Sequence, residues 1–192
     1  MNPGPSRGVR VVAGRYRGLR LAVPDGRAVR PTGDRVREAL FSILAGRIPG
    51  ARVVDCFSGS GALGIEALSR GAREVFFIEN APRVRAVLES NLERLEDRSG
   101  ARVCAADALR PRGWGVALPA EVILADPPYA GETASRFLAV LAAVRPLAEE
   151  GILVLEHDRQ HEPDLGPWIR VDARHYGGTS LSFLALSGPD GS

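Results

Sequence analysis

RVVDCFSGSGALGIEALSRG, residues 52–71, changes its period halfway. The opening run, RVVDCF, is rich in β-branched and apolar residues with little alternation, as a strand buried on both faces reads. From Gly61 the apolar residues recur at helical spacing, and Gly71 closes the run. Glycines at 59, 61 and 64 lie at the junction, so a strand feeds directly through a tight turn into a helix. A strand–turn–helix unit of this kind opens a parallel α/β sheet, and such sheets bind ligands beyond the carboxyl ends of their strands.

The same unit recurs along the chain. EVFFIE (74–79), ARVCAAD (101–107), EVILAD (121–126) and GILVLEH (151–157) read as strands, and PRVRAVLESNLERL (82–95) and TASRFLAVLAAVRPL (133–147) as helices. WIRVDARHY and TSLSFLAL, joined by a turn at Gly177-Gly178, read as an antiparallel pair. The expected fold is α/β: a seven-stranded, mostly parallel sheet with an antiparallel C-terminal hairpin. Five parallel strands ending in such a pair match the Rossmann-like sheet of S-adenosylmethionine (SAM)-dependent methyltransferases. Ahead of it, RVVAGRYRGLRLAVP alternates like a short hairpin. TGDRVREALFSIL follows as a helix, capped by Thr32 or Asp34, with Val36, Leu40, Ile43 and Leu44 as its apolar stripe. The boundaries expected are a basic N-terminal extension over 1–48, a methyltransferase-type domain over 49–187 and a frayed tail over 188–192.

With 192 residues, 45% of them apolar, the chain is long enough for one full core. No apolar run approaches the roughly 20 residues of a membrane span. The N-terminus lacks the apolar core of a secretory signal, so a soluble, cytoplasmic protein is expected. Cys56 and Cys104 each sit inside an apolar run and read as core residues. The chain has no lysine, and all its basic residues are arginine, which forks onto phosphate and stacks on bases. Residues 1–50 carry ten arginines against three acids, a balance of +7, which leaves −5 for the remainder of a chain of net charge +2. A basic end on a mildly acidic body suits a polyanionic partner.

Gly59, Gly61 and Gly64 satisfy the dinucleotide pattern G-x-G-x-x-G. Asp55, four residues ahead, argues against a dinucleotide. A carboxylate there would repel a pyrophosphate but suits the amino and sulfonium groups of SAM. Glu79 ends the second strand, where a carboxylate accepts from ribose hydroxyls. Asp107 follows the third strand, placed for an adenine amino group. Asp126 follows the fourth. Each alone is explained as well by a solvated surface; four acids on four strand tips point to a ligand site.

Asp126-Pro127-Pro128-Tyr129 then reads as chemistry rather than as an ordinary proline turn. The prolines fix the backbone and hold its carbonyls beside the Asp126 carboxylate. Two fixed acceptors orient the N–H groups of an exocyclic amine, and Tyr129 offers a face on which its ring stacks. Transfer to a base nitrogen then depends mainly on positioning.

RVVAGRYRGLRL, RPTGDRVREALFSIL, DCFSGSGALGIEALSRGA, LADPPY and YGGTSLSF together resemble the bacterial 16S rRNA guanine-N2 methyltransferases of the RsmD type, over residues 9–186. DPPY by itself resembles the fourth motif of amino-directed SAM methyltransferases at large. The resemblance implies methylation, without metal, of the N2 amino group of one guanine of 16S rRNA within the 30S subunit or its assembly intermediate; a monomer is expected because such a substrate itself supplies a large surface. It implies catalytic positions at Asp126, Pro127, Pro128 and Tyr129. Cofactor contacts are implied at Asp55, Ser58, Gly59, Gly61, Glu79, Asn80, Asp107 and Ala108, and at Thr32 from the N-terminal block. RNA contacts are expected at Arg10, Arg15, Arg17, Arg30 and Arg35. The chain departs from the family pattern at Gly33, Ser42 and Gly178, positions that touch RNA recognition rather than the transfer itself.

His157, His161 and His175 lack metal spacing and are expected in solvated or capping roles, Trp114 and Trp168 in packing, and Glu38 and Glu66 as caps or in pairs with arginines. Two other readings stay open from the residues: transfer to DNA adenine-N6 or a protein glutamine, and a non-catalytic rRNA-binding assembly factor.

Overall fold

A computed structural model describes residues 8–24, 33–111, 114, 118–128 and 132–187. Thr32, Arg30, Tyr129 and the 188–192 tail lie outside the described residues. Two short strands, β1 (Val9–Arg10) and β2 (Arg20–Leu21), pair antiparallel with Val9 opposite Leu21. Helix α1 (Gly33–Ile43) follows. The body then alternates β3 (Arg52–Cys56), α2 (Ala62–Ser69), β4 (Glu74–Ile78), α3 (Pro82–Leu92), β5 (Ala101–Cys104), β6 (Ala120–Ala125), α4 (Thr133–Val144) and β7 (Leu147–Asp158). Strands β8 (Trp168–Tyr176) and β9 (Thr179–Leu186) close it.

The seven body strands form one sheet in the order β5-β4-β3-β6-β7-β9-β8. Pairing is parallel from β5 through β7 and antiparallel for β7–β9 and β8–β9. The expected sheet is the observed one. Strand order runs outward in both directions from the middle, so the sheet has its switch point between β3 and β6.

Side chains alternate across this sheet. Val53, Phe77, Leu124 and Val154 share one core with residues of α1, α2 and α3, while Val54, Phe76, Ile123 and Leu155 share the other with Phe137, Leu138 and Leu141 of α4. The N-terminal extension belongs to the first core: Val11, Tyr16, Leu21, Leu40, Phe41 and Leu44 are buried in it beside Ile65 and Phe77. The stripe of α1 differs from expectation at Ile43, which is 39% exposed, whereas Phe41 is fully buried. Ile43 is the last helical residue, and beyond it the chain continues the inner face through Leu44 and Ile48. Asp34 lies inside α1 rather than at its cap and pairs with Arg37 at 2.7 Å.

Of the three histidines, His161 and His175 are exposed as expected and His157 is not. His157 is buried on β7 against β9, where one ring nitrogen lies 3.0 Å from the Asp158 carbonyl and the other 3.0 Å from Ser182 Oγ. The reason is pleat alternation: its side chain follows Leu153 and Leu155 onto the α4 face. Trp114 and Trp168 are packing residues, with Trp168 donating its indole N–H to the Leu138 carbonyl at 2.9 Å. Cys56 is fully buried, and Cys104 is half-buried on the edge strand β5.

Candidate active site

Strand register brings the predicted acids together. Cys104, Ile78, Cys56, Ala125 and Leu155 are paired in one row across five strands. Glu79 and Asp126 follow that row directly, and Asp55 lies one residue before it on the strand between theirs. Neighbouring parallel strands lie about 4.8 Å apart, so all three carboxylates meet at the switch point.

Asp55 faces the α2 side and is 1% exposed. Its Oδ2 accepts from the Gly64 N–H at 2.9 Å, in the first turn of α2. Burial, opposed in part by that bond and reinforced by the Asp126 and Glu79 charges, pushes its pKa from 3.8 up to about 7. A desolvated carboxylate beside two half-buried ones favours an incoming cation, because it relieves their mutual repulsion.

The loop between β3 and α2 is turned by three residues in left-handed conformation: Phe57 at φ 58°, Gly59 at φ 58° and Gly61 at φ 81°. Such a φ is strained for a bulky residue, costing about 1–3 kcal/mol. Phe57 packs edge-on against Phe137 of α4, ring centroids 5.2 Å apart. Gly61 and Gly64 answer to packing as much as to a ligand. A Cβ on Gly61 would stand 2.4 Å from Leu88 Cδ1, and one on Gly64 2.3 Å from Phe77 Cε1. Ser58 secures the turn by donating Oγ–H to the Asp55 carbonyl at 2.6 Å.

Glu79 reaches back to the loop. Its Oε2 accepts from Gly59 N–H at 3.1 Å and its Oε1 from Ala81 N–H at 2.9 Å. The predicted ribose acid thus also holds the glycine turn and the start of α3, and Asn80 lies exposed between the two. Asp107 accepts from Leu109 N–H through Oδ1 at 2.9 Å, while its carbonyl takes the Trp114 indole N–H at 3.2 Å. Ala108 beside it is buried. Asp126 is half-buried, Pro127 buried and Pro128 exposed.

The arginines expected to meet RNA divide. Arg10 and Arg17 line a cavity of about 250 Å³ with Val11, Val12, Gly18 and Glu38. Arg35 is exposed on α1. Arg15 instead pairs with Asp97 at 3.2 Å and Glu96 at 3.9 Å, at the far end of α3.

Four buried polar residues form a framework that sequence reading largely missed. Glu66 of α2, fully buried, accepts from Val12 N–H at 2.7 Å and Ala13 N–H at 3.0 Å, and pairs with Arg70 at 2.7 Å and Arg37 at 3.8 Å. Its pairing with arginine was expected; its grip on the extension was not. Ser69 donates to the Ala13 carbonyl at 2.5 Å and accepts from Tyr16 N–H at 2.9 Å. Asn91 of α3 binds Ala22 and Ser60. The available signal was a polar residue on an apolar stripe: Asn91 lies between Leu88 and Leu92, and Arg37 follows Val36 into the core.

Among the described residues no group of three His, Cys, Asp or Glu side chains is arranged to hold a metal ion, and no helix is long and apolar enough to cross a membrane.

A family model described as conserved hypothetical protein 95 matches residues 9–185. The curated protein named Ribosomal RNA small subunit methyltransferase D, of Escherichia coli strain K12, is 38% identical over 160 residues, spanning 82% of this chain and 78% of its own length. Among solved structures, the Escherichia coli protein yhhF superposes with a TM-score of 0.80 at 31% identity, covering 93% of this chain and 98% of that one. A hypothetical protein of Thermus thermophilus gives 0.78 at 33% identity, covering 93% and 99%.

Proposed function

We infer what this chain does from one premise: it belongs to the ribosomal RNA small subunit methyltransferase D family, whose sequence model is described as conserved hypothetical protein 95. The chain is a SAM-dependent methyltransferase that modifies the N2 amino group of one guanine in 16S rRNA. Its substrate is the small subunit or an assembly intermediate, met by a monomer in the cytoplasm, and the transfer uses no metal. The observation that carries the reading is the convergence of Asp55, Glu79 and Asp126 at the switch point, where burial and mutual repulsion keep Asp55 partly protonated at neutral pH.

The residues present fit SAM. The crevice is acidic, and the ligand's ammonium and sulfonium groups are cations. Asp55, at the buried end of the crevice, takes the cationic end. Ser58, Gly59 and Gly61 supply a backbone that approaches closely. Glu79 keeps lone pairs for ribose hydroxyls beyond those used by Gly59 and Ala81. Asp107 and Ala108 border the adenine, Asn80 lies beside it, and Thr32 closes the site from the N-terminal block. When bound, SAM supplies an electrophilic methyl group on a positively charged sulfur.

The remaining work is positional. Asp126 accepts an N–H of the exocyclic amine, and the proline-fixed backbone after it holds the second acceptor in place. The guanine must leave its own stack to enter, and stacking on Tyr129, worth about 1–3 kcal/mol per base, offsets part of that cost. Arg10, Arg17, Arg30 and Arg35 hold the RNA backbone, and Arg15 joins them by giving up its pair with Asp97.

Incubation of the purified chain with tritiated SAM and 30S subunits from a strain lacking the modification tests this. Label is expected in N2-methylguanine of 16S rRNA. A chain that binds SAM yet leaves guanine unlabelled would refute it.

A further inference from the structure

Helix α3 carries Leu88 and Leu92 into the core and, between them, one amide. Asn91 is 1% exposed, and its carboxamide serves two distant segments. Its Oδ1 accepts from Ala22 N–H at 2.8 Å. Its Nδ2 donates to the Ala22 carbonyl at 2.9 Å and to the Ser60 carbonyl at 2.9 Å. Both amide hydrogens are therefore in use, and their directions are fixed in one plane. Ala22 follows β2 in the N-terminal extension; Ser60 lies between Gly59 and Gly61 in the loop that precedes α2. The same peptide group is held at its other end, where Gly61 N–H donates to the Ser58 carbonyl at 2.8 Å.

Glu66 and Ser69 also tie the extension to the body, but through α2. Asn91 touches the turn itself. A displacement of Ala22 and one of Ser60 cannot both keep these bonds unless they move together, and a buried amide left half-bonded is strongly disfavoured.

We propose that Asn91 is a positioning residue that couples the basic extension to the glycine loop, so that RNA held by the one and SAM held by the other strengthen each other's binding. The inference rests on the reading of the extension as RNA-binding and of the loop as SAM-binding. Two states suffice: the extension docked, with all three bonds made and the turn set for its ligand, and the extension released, with the Asn91 amide free to turn away from the Ser60 carbonyl. Either ligand favours the docked state, and linkage then requires each to raise the other's affinity by one common factor.

Calorimetry with S-adenosylhomocysteine, which cannot react, and unmodified 30S subunits reads that factor from both directions. A mutual gain of roughly tenfold is expected in the wild type. Asn91→Asp keeps the acceptor for Ala22 N–H but turns both donations into repulsions. Ala22→Pro removes only the Ala22 N–H, at an exposed position, and carries the test should the Asn91 variant fail to fold. The factor should fall close to one in Asn91→Asp and part of the way in Ala22→Pro, which keeps the two Asn91 donations, while S-adenosylhomocysteine alone binds within about threefold of wild type. A purely structural Asn91 would lower the melting temperature and leave the factor unchanged, and that result overturns the proposal. Independent binding of the two ligands by the wild type overturns it too, with the proposed function intact. A wild type that binds S-adenosylhomocysteine but no 30S subunit would overturn the proposed function and this inference together.

Discussion

Replacing Asp55 by Asn should stabilise the unliganded protein at pH 8 and weaken its hold on SAM. The substitution keeps an oxygen for the Gly64 N–H and removes the charge that burial, Asp126 and Glu79 oppose. In the fold this carboxyl titrates near 7 rather than 3.8. The native state therefore holds a proton that the unfolded chain has already lost across that window. Stability falls as pH rises from about 4 to about 7, and the whole penalty is present above 7. Three pKa units correspond to roughly 4 kcal/mol as an upper bound. Structural relaxation and water entry reduce such figures, so about 2 kcal/mol is the expected gain for Asp55→Asn at pH 8. In a chain of this size that raises Tm by about 4–8 °C. Thermal melts of both proteins at pH 4 and pH 8 decide the matter. At pH 4 Asp55 is protonated in the fold and about two-fifths protonated in the unfolded chain, which leaves only about 0.6 kcal/mol of the roughly 4 kcal/mol span, so most of the gap should vanish. A gap of equal size at both pH values, or a variant less stable at pH 8, would refute the placement of a penalised charge there. Calorimetry at pH 8 should show SAM affinity down by about 100-fold in the variant, the worth of a buried charge-assisted bond. In the wild type that affinity should rise with pH up to about 7 and then level off, because the ligand requires the ionised acid.

Arg10→Ala with Arg17→Ala should weaken 30S binding and lower its log–log salt slope by about 1.5, with SAM affinity unchanged; Arg15→Ala should have a smaller effect, since Arg15 is already paired with Asp97. An unchanged slope in filter-binding assays would contradict this. Gly64→Ala would drive a methyl group to 2.3 Å from Phe77 and should cost about 1–3 kcal/mol in urea unfolding, so an unaltered midpoint would mean that α2 is less tightly seated on β4 than described. Glu66→Ala strands Arg70, leaves Arg37 with Asp34 alone and frees the Val12 and Ala13 amides, and should destabilise by about 3 kcal/mol. Hydrogen exchange at Val12 and Ala13 should accelerate; protection retained there would show that the extension is held by other contacts.

Residue pattern alone settles the layers, the direction of the strands and the end at which the acids lie. Periodicity does this because a strand buried on both faces and an amphipathic helix leave different spacings, and because Gly59-Ser60-Gly61 can only be a turn. Pleat alternation together with register also made the meeting of Asp55, Glu79 and Asp126 foreseeable, once the strands were parallel and in order. Long-range polar pairing was not legible. Nothing local to ESNLERL says that Asn91 will bond Ala22, 69 residues away, or that Glu66 will hold Val12 across 54. Nor does the arginine count tell which guanidinium stays unpaired and which is tied to a carboxylate brought near by folding, as Arg15 is to Asp97 and Arg37 to Glu66. Ile43 and His157 went against their expected sides for the same reason. Local pattern fixes which face a residue is on, but only the packed chain fixes what covers that face, because desolvation and hydrogen bonding depend on neighbours that sequence distance does not reveal.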